Sequence, residues 1–405
     1  MTRARAAHIL IGLAVLFAAV IGATIFENPT LRRAVEAASV LAALSAPLDP
    51  ATGDDVDAPP IAKTVNYRVQ GREFSADLYH TGRDAKAALV LVPGLAPKGR
   101  LDPRLVATAR VLARARFQVL VPDIPNLRAL RVSPADTRHV AGAIEFLARL
   151  PVAAGGGALG VMAFSYAAGP TLLAVPTAKA GSHVDFVVTV GGYHDLEAVI
   201  TFFTTGMFRQ PGEAEWRQHP PNSHGKWVFI LSNADRLEDR ADRQILTTIA
   251  RRKLADLDAD IDDLAVRLGP DGAAVLAVAD NRDPRRVRDR IARLPAPIRA
   301  DIKALSLIDL DWSRLGARLL LVHGRDDGII PYSESMALAQ AAGAQAELFL
   351  ADHLAHVDFG STGLQDTLTL WRAVYRLLEM RDNRRLIDVP GGIGRKSRAN
   401  DLEPL

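Results

Sequence analysis

The sequence predicts an α/β protein with a mainly parallel, doubly wound sheet and one inserted helical segment. Short apolar runs typical of buried strands alternate with stretches whose apolar residues recur at helical spacing. Strands separated by helices in this way form a parallel sheet covered by helices on both faces. The alternation is interrupted once, over residues 196–316.

Eight runs have the length and composition of strands, and three stretches have those of helices. The predicted strands cover residues 61–70, 73–79, 88–92, 117–121, 159–164, 186–190, 318–322 and 346–350. The predicted helices cover residues 105–116 and 134–150, with a third starting near Tyr166.

We interpret residues 196–316 as an inserted lid, because a connection of this length without secondary structure of its own is uncommon in a compact domain. Helical patches occur at residues 242–257 and 287–294, while WVFIL at 227–231 is strand-like. At its start, Phe202, Phe203, Met207 and Phe208 form an apolar patch. These four residues either line an acyl pocket or only attach the lid to the body.

Composition excludes several classes of protein. Over 405 residues, 49 Lys and Arg stand against 46 Asp and Glu, which leaves a formal charge of +3 and does not suggest nucleic-acid binding. Cysteine is absent, so disulfides, thiolate nucleophiles and Cys-ligated metals are excluded.

Residues 9–26 form an uncharged apolar run, ILIGLAVLFAAVIGATIF, preceded by Arg3 and Arg5. At about 1.5 Å per residue, the run is just long enough to cross a bilayer as a helix. We expect an uncleaved signal anchor, a single transmembrane helix with the body on the extracytoplasmic side. A cleaved signal peptide, which would make the protein secreted, and a buried helix are the alternatives.

These patterns divide the chain into consecutive parts. The boundaries are an anchor or signal segment at 1–27, a juxtamembrane segment and linker at 28–60, a core at 61–195 and 317–381, the lid at 196–316 and a polar tail at 382–405. Within the juxtamembrane segment, residues 31–44 predict a short amphipathic helix along the membrane.

A serine lies between a predicted strand and a predicted helix, in the sequence Ala163-Phe164-Ser165-Tyr166-Ala167. The small-x-Ser-x-small pattern resembles the nucleophile elbow of the α/β-hydrolase superfamily, although alanines stand where that family usually has glycines. The resemblance implies that Ser165 is the nucleophile. On its own, a serine at the start of a helix is more often a helix cap.

Two later segments resemble the regions that carry the acid and the histidine in the same family. HGRDDGIIP, residues 323–331, follows a predicted strand and implies Asp327 as the acid, with Asp326 and Asp195 as alternatives. ADHLAHVDF, residues 351–359, follows the last predicted strand and implies His356 as the base, with His353 as its competitor. The order Ser165, Asp327, His356 is the order of that family.

The oxyanion hole is expected from backbone N–H groups. Val92-Pro93-Gly94-Leu95 ends a predicted strand at the place of the family's oxyanion loop. The resemblance therefore implies the N–H groups of Leu95 and of Tyr166, the residue after the serine, as donors.

The resemblance implies a serine hydrolase that cleaves a small-molecule carboxylic ester through an acyl-enzyme intermediate. It is expected to act on a moderately hydrophobic substrate, with no metal and no organic cofactor. A thioesterase or acyltransferase with the same triad is one alternative, and a non-catalytic membrane-tethered scaffold is another. GGGALG at residues 155–160 matches a dinucleotide fingerprint in letters only, because it precedes a strand instead of following one.

Overall fold

The computed structural model of the chain describes residues 27–46, 60–69, 71–354 and 363–382. The strands are β1 (Ile61–Val69), β2 (Arg72–His80), β3 (Ala87–Val92), β4 (Phe117–Pro122), β5 (Ala158–Phe164), β6 (Phe186–Val190), β7 (Met207–Phe208), β8 (Arg217–Gln218), β9 (Arg318–Gly324) and β10 (Ala346–Ala351). The helices before the insertion are α1 (Pro29–Ser45), α2 (Pro103–Arg114), α3 (Pro125–Arg128), α4 (Asp136–Ala148), α5 (Pro151–Ala154) and α6 (Ala168–Ala174). Those within and after it are α7 (Leu196–Thr205), α8 (Gly225–Asn233), α9 (Arg240–Ala255), α10 (Asp262–Ala265), α11 (Pro270–Ala279), α12 (Val287–Ala292), α13 (Ala296–Leu305), α14 (Ser333–Ala342) and α15 (Leu364–Asp382).

Eight strands form one sheet in the order β1-β2-β4-β3-β5-β6-β9-β10. Strand β2 runs antiparallel to both of its neighbours, and the pairs from β4 to β10 are parallel. Strands β7 and β8 form a separate two-stranded ribbon. The prediction of an α/β fold with a mainly parallel sheet is confirmed.

The central strand β3 shows why the sheet is covered on both faces. All six of its side chains are fully buried. Ala88, Val90 and Val92 pack into the apolar cluster under α4, α6 and α14. The intervening residues of the strand pack into the opposite cluster with α1, α2 and α15. An uninterrupted apolar run is what a parallel strand buried on both sides requires.

Residues 196–316, between β6 and β9, form helices α7 to α13, which share an apolar cluster of their own. We call this segment the helical insertion. The expectation of a strand at residues 227–231 is wrong, because these residues lie in α8. Trp227 and Ile230, three residues apart, are buried and face one side, toward α9 and α11. A helix satisfies its own backbone hydrogen bonds there, whereas a strand would need a partner strand.

Helix α1 packs on the body of the protein, against α15. Its Arg33 is buried and pairs with Glu379 (3.5 Å) and Asp382 (3.3 Å), while Trp371 Nε1 donates a hydrogen bond to the Ala34 carbonyl (3.0 Å). A helix is therefore present over the predicted residues 31–44 and packs against α15, while its position along a membrane stays a prediction.

The apolar run at residues 9–26 lies outside the described residues, as do residues 47–59 of the linker and 383–405 of the tail. In the part of the chain that the structure describes, no helix combines the length and the apolar composition that crossing a bilayer requires. The membrane anchor therefore stays a prediction.

Candidate active site

Ser165 lies at the apex of a sharp turn between β5 and α6. Its φ of 55° is in the left-handed region, which is uncommon for residues other than glycine. A short 3₁₀ turn, Ser165–Ala167, leads directly into α6. A strained strand-to-helix turn presents its apical side chain at the end of the sheet, clear of both elements. The local backbone therefore exposes the Ser165 hydroxyl at the carboxyl edge of β5.

Close packing around this turn explains the small residues on either side of the serine. Ala163 and Ala167 are fully buried. A Cβ added to Gly169, in the first turn of α6, would lie 1.9 Å from the Tyr193 hydroxyl oxygen. Alanine is therefore small enough at residues 163 and 167, while glycine is required at residue 169.

The loop after β3 passes directly beside the serine, because β3 and β5 are neighbours in the sheet. A Cβ added to Gly94 would lie 3.4 Å from the Phe164 carbonyl oxygen and 3.6 Å from Ser165 Cβ. Leu95, Tyr166 and Ser165 line the same cavity. This arrangement brings together the two residues whose N–H groups are the predicted oxyanion donors, and their role stays a prediction.

Asp327 lies in the loop after β9, with its side chain almost fully buried. Its Oδ1 accepts hydrogen bonds from the N–H groups of Ile329 (2.8 Å) and Ile330 (3.1 Å). Its Oδ2 lies 3.3 Å from Nε2 of His323. Ile329 and Ile330 also line the cavity that contains Ser165, so the loop that holds this carboxylate forms part of the cavity wall.

The turn at Ser165 decides the fold family. A serine at a strained strand-to-helix turn, at the carboxyl end of a central parallel strand, has the backbone geometry of a nucleophile elbow, and its role as nucleophile stays a prediction. The chain has the α/β-hydrolase fold. Strand β9, which precedes the Asp327 loop, lies two strands away from β5 in the same sheet.

Comparison with known proteins finds similarity in structure and not in sequence. No family model and no curated protein matches the chain. It is similar to an acylaminoacyl peptidase of Pyrococcus horikoshii, with 12% identity, a TM-score of 0.44, and coverage of 85% of this chain and 44% of the peptidase. The chain thus spans less than half the length of that peptidase.

Two shorter proteins are similar over most of their own length. An esterase of Pyrococcus furiosus has 11% identity and a TM-score of 0.44, over 80% of this chain and 92% of the esterase. Dienelactone hydrolase of Anabaena variabilis has 13% identity and a TM-score of 0.41, over 80% of this chain and 99% of that protein. At these identities and TM-scores, the activity of this chain has to follow from its own residues.

The structure gives the two alternative acids other tasks. Asp326 Oδ1 accepts the Leu354 N–H (2.9 Å), which ties the first residues after β10 to the loop after β9. Asp195 is the N-cap of α7, where its Oδ1 accepts the N–H of Glu197 (2.9 Å) and the hydroxyl of Ser306 (3.0 Å). Asp327 stays the predicted acid.

The predicted base, His356, lies outside the described residues. Its competitor His353 is described: its side chain is 75% exposed, and its Nδ1 lies 3.1 Å from Asp366 Oδ2. Asp366 also accepts the backbone N–H groups of Asp352 and His353. His353 therefore belongs to a surface turn fastened to α15 and does not line the cavity.

The cavity above Ser165 has a volume of about 1370 Å³ and lies between the sheet and the helical insertion. Its apolar lining from the insertion comprises Leu196, Val199, Ile200, Phe203, Val228, Phe229, Ile302 and Leu305. Of the four apolar residues singled out in the sequence, Phe203 alone is in the lining. Phe202 is fully buried and packs edge-on against Phe208, in a cluster that also contains Tyr332.

Polar contacts fasten the insertion to the core at the cavity wall. Arg236 pairs with Asp301 (Nε to Oδ2, 2.7 Å) and donates to the carbonyl oxygens of Ser232 and Val132. Ser232 Oγ in turn accepts the Val132 N–H (2.9 Å). Arg236 and Asp301 line the cavity, and so do Asp102 and Arg104, which pair with each other (3.2 Å). These four charges are therefore already paired within the protein.

Tyr166 is held by the same wall. Its hydroxyl oxygen accepts the N–H of Ser133 (3.1 Å), which also reaches Asp136 Oδ2 (3.2 Å). Burial raises the pKa of the Tyr166 phenol well above its usual value, so the phenol stays neutral. Burial also raises the pKa of Asp136 to about 6, against the hydrogen bonds from Asn126 and Ser133, which lower it.

Sequence reasoning assigned no role to His323 or Glu334. His323 lies 3.3 Å from the predicted acid Asp327, and Glu334 contacts the chain at the start of the insertion. His323 belongs to the HGRDDGIIP segment, so the sequence places it four residues from Asp327. The sequence does not show which groups its ring nitrogens contact. Glu334, in the first turn of α14, accepts N–H groups from His194 and Asp195, where the insertion leaves the core. In the described ranges, no group of three His, Asp or Glu side chains could hold a metal ion.

Proposed function

We propose that this chain is a serine hydrolase that cleaves a carboxylic ester through an acyl-enzyme intermediate. The observation that carries the proposal is the left-handed Ser165 at the floor of the cavity, with Leu95 and Tyr166 in the same lining. A serine held in strained backbone and open to a large cavity has the position that a nucleophile needs.

In the proposed reaction, Ser165 Oγ attacks the acyl carbon while His356 takes the hydroxyl proton. The N–H groups of Leu95 and Tyr166 receive the negative charge of the tetrahedral intermediate, each worth about 10²- to 10³-fold in rate. Collapse of the intermediate breaks the bond to the alcohol, which leaves with the proton from His356. Water, deprotonated by His356, then releases the carboxylic acid and restores Ser165, while Asp327 holds the imidazole in one tautomer.

The lining supports a moderately hydrophobic acyl group as substrate. The insertion contributes aliphatic and aromatic side chains, and the charged pair Arg236–Asp301 is already engaged. The cavity volume of about 1370 Å³ exceeds the roughly 300–1,000 Å³ of most small-molecule pockets. We therefore propose that the acyl chain lies under the insertion, with Phe203 beside it.

A fluorophosphonate probe that labels reactive serines tests the proposal. Wild-type protein should be labelled at Ser165, and Ser165→Ala should lose labelling and ester turnover while it keeps its fold. Ser45→Ala is the matched control, since Ser45 lines the same cavity from the end of α1 and not from the turn of the predicted nucleophile, and it should change neither. A folded wild-type protein without labelling would instead favour the non-catalytic scaffold.

Matched substrates separate the remaining alternatives. Esters and thioesters with the same acyl group, each assayed with and without an acceptor alcohol, distinguish an esterase from a thioesterase and from an acyltransferase. Turnover of the ester with water as acceptor is the expected result.

We also propose that residues 9–26 anchor the enzyme in a membrane, with the N-terminus inside and the body outside. The eighteen uncharged residues support this proposal, and α1 begins three residues later, fixed on the body. The full chain should sediment with membranes and resist carbonate extraction. Recovery of a trimmed soluble protein would favour a cleaved signal peptide.

A further inference from the structure

A buried histidine lies directly beneath the predicted catalytic acid. His323, in β9, is fully buried, and both of its ring nitrogens have partners. Nδ1 lies 2.6 Å from Ser335 Oγ in α14. Nε2 lies 2.9 Å from the Ile330 carbonyl oxygen and 3.3 Å from Asp327 Oδ2.

The partners of His323 define its tautomer. The Ile330 carbonyl can only accept a hydrogen bond, so Nε2 carries a proton and donates it. Nδ1 then accepts the hydroxyl proton of Ser335, which is itself fully buried. The neutral ring with its proton on Nε2 satisfies each of these contacts.

This tautomer places an N–H beside the acid. The Nε2–H donates to the Ile330 carbonyl and lies close to Asp327 Oδ2 (Nε2 to Oδ2, 3.3 Å), while Oδ1 of the same carboxylate accepts the two N–H groups of Ile329 and Ile330. The hydrogen bonds to Oδ1 and the positive edge of the imidazole beside Oδ2 together oppose rotation of the carboxylate about its Cβ–Cγ bond.

We propose that His323, held in one tautomer by Ser335, is a positioning residue that fixes the orientation of the Asp327 carboxylate. The inference rests on the proposed function, in which Asp327 orients and stabilises the base. Leu319 and Leu321 share the His323 side of β9 and are buried and apolar. A leucine at position 323 would bury no polar group, whereas an imidazole there needs hydrogen-bond partners. We therefore attribute the histidine to the hydrogen bonds that it makes.

The kinetic consequence is specific. A carboxylate that turns away from the base stabilises the protonated base less, which lowers kcat and lowers the pKa of the base seen in kcat/KM. Misplacement by about 1 Å can cost roughly 100-fold, so we expect kcat to fall about 10- to 100-fold. KM should stay unchanged, because His323 and Ser335 do not line the cavity.

The test compares His323→Leu, His323→Gln and Ser335→Ala with wild type, using kcat, KM and the pH profile of kcat/KM, with rates normalised to folded protein. His323→Leu should lower kcat about 10- to 100-fold and move the base pKa down by about one unit. His323→Gln, which keeps a donor near the position of Nε2, should recover much of the loss. Leu319→Val, four residues earlier on the same side of β9, is the control and should affect stability alone.

Ser335→Ala decides the case if His323→Leu does not fold, because it removes a single hydroxyl. It should lower kcat and move the base pKa in the same direction. If Asp327→Asn is severely impaired, an unchanged kcat and pH profile in Ser335→Ala would overturn the inference. The same result in folded His323→Leu would also overturn it. A fully active Asp327→Asn would instead remove the acid from the proposed function.

Discussion

Replacing Glu334 with glutamine tests whether one buried carboxyl makes the stability of this protein fall with rising pH. Glu334 is 5% exposed, and its Oε2 accepts the N–H groups of His194 (2.9 Å) and Asp195 (2.7 Å). Burial raises the pKa of Glu334 to about 7, the two N–H groups lower it, and the nearby Asp195 charge raises it. The effect of burial is the largest, so the ionised form is disfavoured in the folded state.

The sign and size of the effect follow from this pKa. A pKa of about 7 in the folded state, against an ordinary value of 4.5, means that the folded protein binds this proton more tightly than the unfolded chain. The contribution is full below about pH 4.5 and is lost as the pH rises to about 7. At about 1.4 kcal/mol per pH unit, the loss amounts to about 2–3 kcal/mol between pH 5 and pH 8.

Glutamine keeps an oxygen that can accept both N–H groups but carries no charge at any pH. The free energy of unfolding of Glu334→Gln, relative to wild type, should therefore rise by about 2–3 kcal/mol between pH 5 and pH 8. Urea denaturation of both proteins at pH 5, 6, 7 and 8 measures this difference. A difference that is the same at each pH would refute the reasoning, because the carboxyl would then not titrate in this range.

Three further predictions follow from the site. Asp327→Asn should lower kcat by about 10³- to 10⁴-fold in steady-state kinetics, whereas Asp326→Asn, which keeps an acceptor for the Leu354 N–H, should have a small effect. If Asp326→Asn were the more damaging variant, the acid would be Asp326 and not Asp327. Phe203→Ala should lower kcat/KM for long acyl esters about 10- to 30-fold and leave acetyl esters nearly unchanged, because about 2 kcal/mol of apolar contact is lost from the cavity wall. The control Phe202→Ala should instead lower the free energy of unfolding by about 3–5 kcal/mol. Equal effects of Phe203→Ala on both classes of ester would assign that residue to packing. Gly169→Ala should lower the melting temperature, because its Cβ would displace the Tyr193 hydroxyl that donates to the Leu305 carbonyl (3.0 Å); an unchanged melting temperature would contradict the tight packing around the elbow.

Much of the core fold could be predicted from local sequence. Parallel strands buried on both faces are short apolar runs, and the eight predicted runs correspond to β1–β6, β9 and β10 of the sheet. The turn at Ser165 could be predicted because a sharp turn tolerates only small neighbouring side chains. The site loops after β3 and β9 could be predicted because both follow strongly apolar runs.

The insertion shows where local pattern fails. The run at residues 227–231 is apolar enough for a buried strand, and periodicity over five residues cannot separate that from a buried helix. Only the packing of Trp227 and Ile230 against α9 and α11 makes the segment helical. Adjacent phenylalanines likewise look equivalent in sequence, yet Phe202 faces a buried aromatic cluster and Phe203 faces the cavity.

Local sequence predicts the alternation of strands and helices, the position of the serine and the segments in which an acid and a base are expected, because each depends on a few neighbouring residues. Three contacts appear only in the folded chain: His323 meets Ser335 beneath Asp327, Glu334 holds the N–H groups at the start of the insertion, and α1 packs on α15. Those contacts join residues from different elements. Their partners are fixed by the order of strands across the sheet and by burial, which no local pattern encodes.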